Sequence, residues 1–156
     1  MRFASCPLEG RGGHEAAYQL LEELYRQETG QALPPIARSG RGKPYFENSP
    51  YHFSISHTRR HAFCVLGKNN VAVDAEELDR KVDPRLAEKI LSPSEQARYA
   101  RAGDKHRALL AFWVLKEAAA KLSGDGLRGY PNQTDFSPED PRVRELDGCL
   151  VVVLEE

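Results

Sequence analysis

The amino-acid sequence predicts an α+β fold with mostly antiparallel strands, and three patterns carry that reading. Phe53-Ser54-Ile55-Ser56 alternates apolar and polar residues, as a half-buried strand does. Two apolar runs, residues 62–67 and 71–76, are separated only by Lys68-Asn69-Asn70, which reads as a turn joining neighbouring strands. The segment Ala108–Leu115 is apolar almost without a break inside a helical stretch from 105 to 122, so that helix is packed on most sides.

The remaining elements follow in order. Residues 2–6 read as a strand and 14–28 as a helix, with Gly30 as its stop signal. The glycine- and proline-rich stretch 32–50 reads as a loop, followed by strands at 51–56, 62–67 and 71–76. Helices are expected at 84–91, 94–102 and 105–122, the last ended by Gly124-Asp125-Gly126. Strands at 133–136 and 149–154 close the chain, giving runs of strands and helices rather than regular alternation. Low-complexity tracts and short-period repeats are absent from the sequence.

At 156 residues and 17.5 kDa the chain can bury a core without disulfide staples. Cys6, Cys64 and Cys149 are odd in number and lack C-x-x-C spacing, so buried thiols in a reducing compartment are expected. No apolar stretch approaches the roughly 20 residues of a membrane span, and no signal-like series opens the sequence; the expected location is the cytoplasm, with no membrane partner. A formal net charge of −1 argues against general nucleic-acid binding.

The chemistry-bearing residues fall into three groups. Asp74 and Glu76 in Val71-Ala72-Val73-Asp74-Ala75-Glu76 share one strand face, about 6–7 Å apart at Cα, while Val71, Val73 and Ala75 take the other. A divalent cation fits between such a pair, although the wet face of a half-buried strand is the commoner explanation of any single D-x-E pair. Trp113-Val114-Leu115-Lys116-Glu117 is followed by Lys121, so Glu117 and Lys121 lie on one helix face, either as a surface ion pair or as part of a site. Trp113 shares the Glu117 stripe, which brings that carboxylate off the packed side, where it needs a cation or a donor. Finally, Lys43 precedes Pro44 in a loop, and Ser56-His57 ends a strand; alone, each is uninformative.

In sequence, G-K-P, F-S-I-S-H-T, V-A-V-D-A-E, L-S-P-S-E and F-W-V-L-K-E-A-A-A-K, spanning roughly residues 38 to 126, closely resemble the 4′-phosphopantetheinyl transferases of the surfactin-synthetase-activating type. The resemblance implies transfer of the phosphopantetheine arm of coenzyme A to a serine of an apo acyl or peptidyl carrier protein, with magnesium, or manganese in its place. By that resemblance Asp74, Glu76 and Glu117 match the metal ligands, and Lys121 matches the lysine on the transferred phosphate, with Lys116 beside it. Lys43, Ser56 and His57 match groups at the nucleotide end, and Glu95 matches a family glutamate assigned here to the catalytic set. The implied architecture is two related α/β halves in one chain, 1–67 and 68–156, forming a pseudo-dimer that acts as a monomer with the active site in the cleft between them.

The residue types suit this chemistry without the family name. Serine attack on a pyrophosphate builds charge on oxygen that a hard cation and a lysine neutralise, and Glu117, Glu95 or a metal-bound water would take the serine proton. The chain departs from the pattern in its short first half, where Arg11 and Arg38 are the only early basic candidates, in Ala72 for the usual glycine, and in Thr58 for serine. Two other readings stand beside it: a silent homologue that binds coenzyme A or carrier protein, and another metal-dependent phosphoester enzyme. Arg59, Arg60 and His61, and the run Arg98, Arg101, Lys105 and Arg107, suggest a basic rim for an acidic carrier.

Overall fold

The computed structural model describes residues 1–126 and 134–156. Strand β1 (Arg2–Pro7) leads into helix α1 (Gly13–Thr29). Gly30 ends that helix in the left-handed region at φ 71°, its N–H donating to Arg26 O, as the sequence predicts. The stretch expected to be loop holds a small hairpin, β2 (Ile36–Arg38) and β3 (Pro44–Phe46), with Ile36 opposite Phe46. Its strands are three residues long, too short for alternation to register against the surrounding glycines and prolines. Strands β4 (His52–His57) and β5 (His61–Gly67) then pair, and β1 adds to the other side of β5, all antiparallel.

The second part of the chain repeats this winding. Strand β6 (Val71–Glu77) is followed by α2 (Leu86–Ile90), α3 (Pro93–Arg101) and α4 (Lys105–Ser123), then by the hairpin of β7 (Val143–Leu146) and β8 (Cys149–Glu155). In both sheets the last strand enters the centre, between the first strand and its hairpin partner. The strand expected at 133–136 is a correction: Gln133 lies outside the described residues, 134–136 is not strand, and the hairpin instead uses 143–146. β7 is an edge strand with exposed Arg144 and Glu145, so it offers little apolar pattern, whereas Asp147 and Gly148, with φ 51° and 76°, are an Asp-Gly hairpin turn.

Packing builds four layers. Helix α1 buries Ala17, Leu20, Leu21 and Leu24 against Phe53, Cys64 and Leu66 on one face of the first sheet. Helix α4 lays Leu110, Val114, Leu115 and Ala118 on Ala72, Leu150, Val152 and Leu154 of the second. The remaining faces meet each other through Phe63 and Val65 against Val71, Val73, Ala75 and Val151. Each buried valine, leucine or phenylalanine among them contributes about 1.5–3 kcal/mol by leaving water. Because side chains alternate along β6, sending Val71, Val73 and Ala75 between the sheets sends Ala72, Asp74 and Glu76 toward α4. Ser54 Oγ accepts from Val73 N at 3.1 Å, stitching β4 to β6 at the seam.

All three cysteines are free, with Cys64 and Cys149 buried. Among the described residues no helix is long and apolar enough to cross a membrane.

Candidate active site

Lys121 of α4 stands at the β4–β6 seam. Its Nζ donates to Asp74 Oδ1 at 2.8 Å, Val73 O at 3.0 Å and Ile55 O at 3.3 Å, so three elements converge on one ammonium. Asp74 is buried, with Ser56 Oγ 3.4 Å from the same oxygen. Glu76, two residues on along the same face, is ion-paired to Arg80, whose guanidinium carbon lies 5.9 Å from the centre of the Trp113 ring. Glu117, one turn before Lys121, lines a pocket of about 400 Å³ together with Asp74, Glu76 and Lys121. The pocket's other wall comes from the first layer: Ser56 and His57 of β4, Arg38 of β2, and His14 and Tyr18 of α1. A neighbouring pocket of about 250 Å³ shares Glu117 and Lys121 and extends to Arg41 and Lys43.

Electrostatics show what this arrangement lacks. Burial pushes the Asp74 carboxyl above its ordinary range against the pull of Lys121 and Ser56, and burial does the same to Glu76 against Arg80. Glu117 is pushed up to about 7, first by burial and then by Asp74 and Glu76. Three carboxylates thus face two cations, and the third holds a proton near neutrality. Among the described residues no three acidic, histidine or cysteine side chains form a preassembled metal cluster; Lys121 occupies Asp74 and Arg80 occupies Glu76. The donor set nevertheless fits a hard divalent cation, because all three groups are carboxylates and the charge left above neutrality is negative.

A pH dependence follows from Glu117. Its folded pKa of about 7 lies above the ordinary 4.5, so the folded protein binds the extra proton between these values. The associated stability is present below about pH 4.5 and is lost as pH rises through 7. Glu117 is only partly buried, and solvent screening reduces the full linkage value to about 1–2 kcal/mol. Chemical denaturation in chelator should therefore find Glu117→Gln more stable than wild type by that amount at pH 8 and equal to it at pH 4.5. Parallel stability curves for the two proteins would contradict the placement of Glu117 among like charges.

Not every expected residue reaches this pocket. His57 and Arg38 line it, and Arg38 also donates to Gly42 O at 2.9 Å. Lys43 lies in the adjoining pocket, donating to Asn70 Oδ1 at 3.1 Å and to Leu122 O at 3.2 Å, and burial lowers its pKa. For Glu95 and Lys116 the structure gives a different role. They form a 2.6 Å ion pair with side chains 0% and 1% exposed, Glu95 closing the capping box of α3 on Ser92 and accepting from Phe136 N, Lys116 donating to Thr134. The two charges satisfy each other inside the second part of the chain, and neither residue lines the pocket that holds Asp74, Glu76 and Glu117.

Most residues expected to form a basic rim carry surface partners. Arg98 is held by Asp135 and Phe136 O, Arg107 by Glu145, Lys105 by the last carbonyls of α3, and Arg59 and Arg60 by Glu77 and Asp79. Paired charges of this kind leave little field for steering. Conversely, sequence reasoning missed Arg80, His14 and Tyr18. The spacing of Arg80 four residues after Glu76 was a signal for the first; nothing local marked the other two, which depend on how α1 meets β4.

The family model described as ACPS, 4′-phosphopantetheinyl transferase superfamily, matches residues 70–148, just over half of the chain. The chain belongs to that superfamily. The match runs from β6 through α4 to the β7–β8 turn and so contains Asp74, Glu76, Glu117 and Lys121. This phosphopantetheinyl transferase relative is accordingly a transferase, of a superfamily that generally uses coenzyme A and a divalent metal. A search of curated proteins finds no match.

Proposed function

We propose that the protein transfers the 4′-phosphopantetheine group from coenzyme A to a serine of an apo acyl or peptidyl carrier protein, as the surfactin-synthetase-activating enzymes do. The observation that carries this reading is the convergence of Asp74, Glu76, Glu117 and Lys121 in one pocket walled on its far side by His57 and Arg38. The two parts of the chain, residues 1–67 and 68–156, are read as related halves because their windings coincide, with coenzyme A lying between them.

In this reading the carrier serine oxygen bonds to the phosphorus that bears the pantetheine arm. The phosphoanhydride bond breaks, adenosine 3′,5′-bisphosphate leaves with the bond electrons, and the serine proton passes to a base. Glu117, or a water held by the metal, would take that proton. Lys121 places an ammonium where the pyrophosphate would lie and exchanges one of its three present acceptors for a phosphate oxygen. Asp74, Glu76 and Glu117 would hold magnesium or manganese, which supplies neutralisation of charge on the pyrophosphate oxygens. His57, Arg38 and Lys43 serve the nucleotide end, and Ser56 orients Asp74.

Incubating the protein with coenzyme A, magnesium and a panel of apo carriers, read by intact mass, tests this function. The expected result is one phosphopantetheine added per carrier. Nucleotide cleavage without labelled carrier would instead indicate a phosphoester hydrolase, and no change in either would indicate a binding homologue.

A further inference from the structure

Gly13 opens α1 with nothing in its own backbone that asks for glycine: it lies in the helix and has no positive φ. What it lacks is room. A Cβ built there would stand 2.3 Å from His57 Nδ1, 2.4 Å from Cγ and 2.9 Å from Cβ of the same histidine. Because the clash reaches the base of the side chain as well as the ring, turning the ring does not relieve it; the histidine as a whole has to move. The preceding Gly12, by contrast, has nothing within 4 Å of a built Cβ. The same first turn carries His14, its ring tilted against Tyr18 with the centroids 4.6 Å apart, and both line the pocket beside His57.

We propose that Gly13 is a positioning residue for His57: the bare first turn of α1 is the seat on which the imidazole is held facing the nucleotide half of the pocket. The inference rests on the reading of His57 as a contact for the terminal phosphate of coenzyme A. It extends that reading into the segment before residue 70, where the family match does not reach.

A double-mutant cycle between Gly13 and His57 separates the two claims. His57→Ala should erase about tenfold of the preference for coenzyme A over 3′-dephospho-coenzyme A, measured by calorimetry. Gly13→Ala should erase a similar part in the presence of His57 and none further in its absence, while Gly12→Ala leaves the preference intact. Thermal melts give a second readout. Alanine is the better helix former, so in a His57→Gly background, where no Cβ remains at position 57, Gly13→Ala should raise Tm by about 1–3 °C, but with His57 present it should lower Tm. Additive effects, or a Gly13→Ala protein that keeps both Tm and preference, overturn the inference. A His57→Ala protein with unchanged preference overturns the nucleotide reading itself, whatever the melts show.

Discussion

Asp74→Asn will lose phosphopantetheine transfer by about a hundredfold to a thousandfold or more while keeping its fold. The substitution is nearly isosteric, so the seam between β4 and β6 is preserved through Ser54 and Val73. What changes is charge at the oxygen shared by Lys121 and Ser56. In the metal-free protein that charge carries a net burial penalty, since Asp74 is pushed upward despite its lysine partner. Removing it leaves stability at neutral pH equal or slightly higher; Lys121, one-third exposed, turns toward water. Turnover by intact mass beside a thermal melt reads both effects. Near-normal turnover at limiting magnesium would remove Asp74 from the site, and a collapsed melt would make it structural.

Glu95→Ala will have the opposite profile, costing about 3–5 kcal/mol of stability because it leaves a buried ammonium without its counter-charge. The same oxygens also serve Ser92 N at 2.8 Å and Phe136 N at 2.9 Å, so the start of α3 and the segment before β7 loosen together. The double variant Glu95→Gln with Lys116→Met should recover only part of the loss, since the amide oxygen accepts from one of the two backbone N–H groups while its NH2 faces the other, and a methionine fills the lysine's space. Urea denaturation of the three variants measures this. A Glu95→Ala protein of full stability and no activity would restore Glu95 to the catalytic set.

These two residues illustrate what a single sequence conveys. Asp74 and Glu76 were readable because strand alternation is local, and Glu117 with Lys121 because helix spacing is local. Glu95 and Lys116 carry the same charges at equally suggestive positions, yet their burial is decided by where α3 packs on α4, which no local pattern reports. Likewise Ser92-Pro93-Ser94-Glu95 is a capping box in its own right, a structural meaning that the family resemblance overshadowed. The main elements were legible because their apolar stripes are long; β2, β3 and β7 were not, being short or exposed. The close approach of Gly13 to His57, and the entry of His14 and Tyr18 into the pocket, arise only when α1 is laid across β4.

Paramagnetic broadening by manganese in amide-resolved spectra, with coenzyme A bound, tests most directly whether three carboxylates of β6 and α4 share one cation. Loss of signal should centre on residues 73–77 of β6 and 114–121 of α4, and should disappear in Asp74→Asn. Broadening centred instead on the exposed acidic residues Asp79 and Asp83, or unchanged by Asp74→Asn, would contradict the site and the transfer chemistry built on it.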